Sequence, residues 1–145
     1  MNTLKTYTIG LYEKAMPGEL SWKEKLLTAK ETGYDYVEIS IDETEDKIKR
    51  VDMSKEERLK MVQWMYETEM PVRSMCVSAL TKYSLGNPDE LLCRRGMDIA
   101  QKAIKLADDL GIRVVMIPGY DVYYTESTAE TQQRFIQNLK IITET

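Results

Sequence analysis

The chain has 145 residues, 43% of them hydrophobic and 30% charged, with a formal net charge of −4. That balance excludes the disordered class, and no apolar run approaches the length of a membrane span; basic residues scattered among acids also exclude the electrostatic footprint of a nucleic-acid binder. Histidine is absent and there are two cysteines, so the commonest acid–base group and transition-metal ligand is missing, and any metal here would need carboxylate and carbonyl oxygens.

Taken in chain order, the elements repeat. A first strand is predicted near Tyr7 to Tyr12, after an N-terminus, Met1-Asn2-Thr3-Leu4-Lys5, that lacks the layout of a signal peptide and leaves the cytoplasm as the expected location. Ser21 with Glu24 forms a capping box for a first helix, and Gly33 stops it just before the strand Tyr34-Asp35-Tyr36-Val37-Glu38-Ile39-Ser40. Ser54 with Glu57 opens a second helix, and a third strand starts at Val72. Asn87 followed by Pro88 marks a third helix start, and Gly111 its end, ahead of Ile112-Arg113-Val114-Val115-Met116-Ile117. Ser127 with Glu130 opens the fourth helix. Ala100, Ala103, Ile104 and Ala107 line one face of the third helix, as Phe135, Leu139 and Ile142 line one face of the fourth, so both have a stripe for sheet packing.

Strand, helix, strand at this rhythm is a βα repeat. No linker or low-complexity stretch divides it, so residues 1–145 read as one domain. The fold class is α/β: a partial (β/α)8 TIM barrel of about four βα units around a parallel sheet, half of a fold that usually takes about 250 residues. The expectation is that the other half is missing. Cys76 and Cys93 read as free thiols, and the nine methionines as adaptable core filler.

Alternation marks the candidate site. In the second strand Val37 and Ile39 face the helices while Tyr36, Glu38 and Ser40 face the other way; in the third, Met75 and Val77 contrast with Ser74, Cys76 and Ser78. A plain core would place branched aliphatics there. Glu38, near the C-terminal end of a parallel strand, needs water, a ligand or a partner such as Lys14 to offset the burial of its charge.

Four strand-end segments stand out: Gly10-Leu11-Tyr12-Glu13-Lys14-Ala15, Val37-Glu38-Ile39-Ser40-Ile41-Asp42-Glu43, Ser74-Met75-Cys76-Val77-Ser78-Ala79 and Gly119-Tyr120-Asp121-Val122-Tyr123-Tyr124. With Ser21-Trp22 and Gln133-Arg134-Phe135 between them, nearly the whole chain resembles the N-terminal half of the L-ribulose-5-phosphate 3-epimerases, also called L-xylulose-5-phosphate 3-epimerases, of the xylose-isomerase-like barrel superfamily. The resemblance implies epimerisation at carbon 3 of a ketopentose 5-phosphate, in bacterial use of L-ascorbate or related sugars. A divalent metal polarises the neighbouring carbonyl and carboxylates on opposite faces exchange the proton. In that family the metal ligands and both acid–base glutamates lie on strands five to eight, as does the usual phosphate site. The resemblance therefore implies no catalytic residue and no metal ligand in this chain, only a substrate-facing wall, with a pentulose 5-phosphate as its partner.

For that wall the resemblance nominates Tyr12, Glu13, Lys14, Glu38, Ser78, Tyr120 and Asp121. Each has a plainer reading beside it. Glu13 and Lys14 could be a solvated surface pair, and Tyr120, Tyr123 and Tyr124 could simply pack their loop. Asp121 fits a turn or helix cap better than a metal site, because two acids without histidine supply too few ligands. Relatives carry a histidine where this chain has Leu80, which implies the loss of one polar contact to sugar, worth about 0.5–1.5 kcal/mol. Ending at four strands leaves the first and fourth as open edges, and the expectation is a two-fold homodimer that buries edge or inner-wall surface.

Overall fold

The structure is a computed structural model and describes residues 6–145. Met1 to Lys5, on which the expectation about a signal peptide rests, lie outside the described residues. The elements run β1 (Gly10–Tyr12), α1 (Trp22–Glu31), β2 (Tyr36–Ser40), α2 (Glu45–Ile48), α3 (Lys55–Thr68), β3 (Val72–Cys76), α4 (Glu90–Leu110), β4 (Val114–Met116) and α5 (Ala129–Thr143). Single 3₁₀ turns at Glu13–Ala15, Lys49–Asp52 and Ser78–Thr81 follow β1, α2 and β3.

The four strands form one parallel sheet in the order β1-β2-β3-β4, as the repeat predicts. Tyr12 lies level with Glu38, Glu38 with Ser74, and Ser74 with Val114, so these residues share one face. The opposite face carries Leu11, Val37, Ile39 and Met75, which pack against Leu26 and Ala29 of α1, Met61 of α3 and the Ile99, Ala100, Ala103 and Leu106 stripe of α4. Each such large aliphatic contributes about 1.5–3 kcal/mol when fully buried, so the core lies between sheet and helices. The inner face has no covering layer among the described residues.

Two helix starts match the predicted capping boxes. The Ser21 amide donates to Glu24 at 2.7 Å and the Ser54 amide to Glu57 at 2.7 Å, each answered by the return bond from the glutamate's own amide. Two others differ. The cap of α5 is Thr128 with Thr131 rather than Ser127 with Glu130, because the Ser127 hydroxyl is given to Asp121 at 2.9 Å. At α4, Asn87 accepts the Asp89 amide at 2.9 Å in a local turn, and Asp89 itself caps Leu91 and Leu92. The helix thus begins at Glu90, and Pro88 sits before it rather than at its first position.

Gly33 and Gly111 end their helices in the left-handed region, at φ 84° and 70°. The end of α3 uses Glu69 at φ 54° instead, which explains why no glycine announces it. Gly96 serves a different need: a methyl group there would meet the Tyr83 carbonyl oxygen at 2.0 Å, so the glycine lets α4 pass close over the turn after β3.

Candidate functional site

In a parallel sheet the chain leaves every strand at the same end, so the loops after β1 to β4 converge on one rim. Toward that rim the inner face is polar. The Tyr12 hydroxyl donates to Ser40 Oγ at 3.0 Å, joining β1 to β2, and Ser74 Oγ donates to Glu38 Oε2 at 2.7 Å, joining β2 to β3. Burial pushes the Tyr12 phenol up, with the Ser40 bond opposing. Cys76 is a free thiol level with Ser40. On β4 the same face turns apolar: Val114 and Met116 are 58% and 50% exposed. Hollows of about 650 and 800 Å³ lie on the helix side and by the lower ends of the strands, not over this rim.

Glu13 does not sit on the rim. It is 1% exposed, beneath the polar wall, and its carboxylate is ringed by Lys25 at 3.0 Å, Lys47 at 3.3 Å and the Arg50 guanidinium, which bonds both oxygens. The Ser40 amide also donates to Glu13 at 2.9 Å, and Arg50 donates to the Ser40 carbonyl at 2.7 Å, so both backbone groups of the last residue of β2 are held. Burial pushes the Glu13 carboxyl up, but Arg50, the Ser40 amide and Lys25 outweigh it and hold the group at about 2. Trp22 lies against this cluster, its ring 5.1 Å from the Arg50 guanidinium carbon and 5.4 Å from the Lys25 nitrogen.

Lys14 pairs with Asp42 at 2.7 Å, not with Glu38. That bond raises the Lys14 ammonium. Burial pushes Asp42 up, yet Lys14 and two bonds from Thr44, from its amide at 2.9 Å and its hydroxyl at 2.6 Å, hold the carboxyl at about 2. Glu38 therefore has a single hydroxyl partner and remains half-buried on the wall.

Ser78 opens the 3₁₀ turn after β3 and is half-buried. Tyr120 bonds Thr81 at 2.6 Å, and its ring stacks at 5.1 Å on Tyr123, which meets Tyr124 edge-on at 5.1 Å. Tyr124 in turn donates to Glu43 at 3.3 Å, tying the fourth loop to the second across the end of β3. Asp121 accepts from Ser127 and Thr131 and its carbonyl accepts the Gly86 amide at 3.0 Å, so it fastens its loop to α5. Thr131 depresses the Asp121 carboxyl most, ahead of the opposing effect of burial.

Leu80 faces away from the rim. It is 2% exposed within the core and would touch a methyl group at Gly96 at 3.5 Å. The 3₁₀ turn Ser78–Thr81 carries it into that core.

The structure thus brings Tyr12 and Glu38 onto one wall with Ser40 and Ser74, sets Ser78 and Tyr120 at its rim, and commits Glu13, Lys14 and Asp121 to ion pairs or loop anchoring. Ser40 and Ser74 are members that strand alternation marks but that are not among the residues nominated for the wall. Among the described residues no three His, Cys, Asp or Glu side chains stand together as metal ligands. With Asp42 and Asp121 tied down, the residues present do not fit a metal.

A family model described as Xylose isomerase-like TIM barrel matches residues 26–145. The L-ribulose-5-phosphate 3-epimerase UlaE of Escherichia coli (strain SMS-3-5 / SECEC) is 46% identical over 136 residues, 94% of this chain and 48% of that protein. The chain therefore spans about half the length of the curated relatives it matches. Among solved structures, D-psicose 3-epimerase in the presence of D-fructose superposes with a TM-score of 0.73 at 11% identity, over 95% of this chain and 48% of that one. A xylose isomerase-like TIM barrel protein from Mycobacterium smegmatis in complex with magnesium gives 0.64 at 12% identity, over 96% and 51%.

Proposed function

We propose, from the premise that this chain belongs to the xylose isomerase-like TIM barrel family, that it forms the substrate-facing N-terminal wall of an epimerase acting at carbon 3 of L-ribulose 5-phosphate or L-xylulose 5-phosphate. One observation carries the reading. In a chain 46% identical to L-ribulose-5-phosphate 3-epimerases, the inner face at the strand ends bears hydroxyls and a half-buried carboxylate where a closed core would be aliphatic. Tyr12 and Glu38, braced by the buried Ser40 and Ser74, form a polar wall three strands wide, suited to the hydroxyls of an open-chain sugar. Ser78 and Tyr120 border the entrance, while Glu13, Lys14 and Asp121 hold the loops that shape it.

The wall does not perform the reaction by itself. Proton exchange at carbon 3 needs a base and an acid on opposite faces, and Glu38 is the one carboxylate on this wall among the described residues. The divalent metal of the full-length family would take its ligands from βα units beyond the four described. The reading includes a cytoplasmic location, a sugar phosphate rather than nucleic acid or membrane as the partner, and pairing of two copies. The net charge of −4 and the absence of any described helix long and apolar enough to cross a membrane support the first points. The exposed Val114 and Met116 support the last.

A second reading is a non-catalytic sugar-phosphate-binding or self-assembling module, which the exposed apolar Val114 and Met116 favour. Assay of the purified chain with both pentulose 5-phosphates and added magnesium, manganese or zinc is expected to give no turnover, while calorimetric titration of either sugar phosphate is expected to give weak heat that Glu38→Gln reduces. Enzyme-like turnover would overturn the first reading, and absence of binding heat would overturn the substrate-wall assignment in both.

A further inference from the structure

We infer that two copies of this chain pair through α3, each α3 lying antiparallel against the other about a two-fold axis beside Val62. The inference rests on the reading that copies pair, and adds which surface they use. The outer face of α3 carries Leu59, Val62 and Tyr66, which are 60%, 39% and 85% exposed. With Lys55 in the first turn and Glu69 where the helix ends, these residues alternate spacings of four and three, the seam along which one helix packs on another. This face does not depend on what adjoins the edges of the sheet. Helix α3 lies between α1 and α4, inside the row of helices. Further βα units join a barrel beyond its terminal strands and leave that outer face toward solvent.

Charge selects a second copy as the occupant, and selects its direction. Lys55 is exposed and has no ionic partner among the described residues, while the Glu69 carboxylate is 80% exposed and is shared only with Lys30 among them. Both lie seven residues from Val62, about 10 Å along the helix axis, so an antiparallel copy brings Lys55 against Glu69 at both ends of the seam. A parallel copy would set Lys55 on Lys55 and Glu69 on Glu69. Shape agrees with charge. A hollow of about 650 Å³ opens between α3 and α4, with Val51, Met53, Leu59 and Val62 as its apolar lining. Two of its rim cations are already paired, Arg58 with Asp109 and Lys102 with Asp52. In the antiparallel pair Tyr66 of each copy falls beside Leu59 of the other, at the mouth of that hollow. Each copy gives a ring and receives one, the self-complementarity that a two-fold interface requires. Burial of the apolar stripe drives association, and the Lys55 to Glu69 pairs set the register.

Sedimentation equilibrium of the purified chain over a range of concentrations tests this directly. A dimer is expected for the wild type. Tyr66→Ser is expected to raise its dissociation constant about 100-fold, since two rings lose their seats. Lys55→Glu and Glu69→Lys are each expected to raise it about tenfold, because each sets like charges face to face at both ends of the seam. The double variant Lys55→Glu with Glu69→Lys restores opposite signs and is expected to return to within about threefold of the wild type. Leu91→Ser, at the exposed start of α4, is expected to leave the constant unchanged, with circular-dichroism melts checking that every variant folds. A wild-type chain that stays monomeric at high concentration overturns both this inference and the pairing reading. A dimer that Tyr66→Ser leaves as tight as before, or one in which the double variant is no tighter than either single variant, overturns this inference alone.

Discussion

Glu13 and Glu38 stand at the same end of the same sheet, one behind it and one on its open face, and their surroundings are opposite. Glu13 has three cations and a backbone amide, whereas Glu38 has one serine hydroxyl. The first arrangement satisfies a carboxylate completely and leaves nothing for a ligand. The second leaves lone pairs free to accept from one. The difference teaches that charge at a barrel rim is of two kinds, one that fixes strand ends and one that remains available, and that residue type and spacing do not tell them apart.

Four measurements break or sharpen the contrast. Glu13→Ala should be the most damaging, because it strands Lys25, itself 4% exposed, without its carboxylate. Loss of one partner of a buried pair costs about 3–5 kcal/mol, read as a large fall in the denaturant midpoint. Acid comes next. Glu13 is depressed in the folded state to about 2 from an ordinary 4.5, so its contribution is complete above the unfolded value and disappears as pH falls through the folded one. Across that window wild type should lose up to about 3 kcal/mol that Glu13→Gln has already forfeited, and chemical denaturation at a series of pH values should show the two curves converging.

Asp42→Asn should cost about 1 kcal/mol, since it removes the Lys14 ion pair but retains an acceptor for Thr44. Thermal melts at neutral pH check it. Glu38→Gln is expected to change stability by less than about 0.5 kcal/mol, because the amide still accepts from Ser74, while weakening sugar-phosphate binding in calorimetry. A destabilisation by Glu38→Gln as large as that by Glu13→Ala would erase the distinction between the two acids.

The fold was readable where local chemistry decides it. Two capping boxes, Gly33 and Gly111, and the alternation of Val37 and Ile39 with Glu38 place helices and strands because each signal acts within a few residues. The short helix α2 and the 3₁₀ turn after it carry no readable signal, because their buried residues, Ile48 and Val51, are a pair three apart in an otherwise charged run. The cap of α5 lies one residue beyond the Ser127 expected from the capping-box pattern because Ser127 is claimed by Asp121, a contact set by the path of the preceding loop. The site was legible only in part. The cations around Glu13 come from 12, 34 and 37 positions away, so nothing near Glu13 in the chain distinguishes a buried hub from a surface pair. Leu80 likewise follows the polar strand-end residues Ser74 and Ser78 in sequence, and only the tight turn after β3 shows that it is buried in the core.

Trp22 gives the buried cluster an optical gauge. Its indole lies within 5.4 Å of two cations that Glu13 pairs with, so its emission should report the integrity of the ion cluster separately from global unfolding. With Trp64, the second of the chain's two tryptophans, replaced by phenylalanine, a single fluorophore would remain, and its spectrum would record whether the end of β2 is still clamped while the rest of the molecule stays folded.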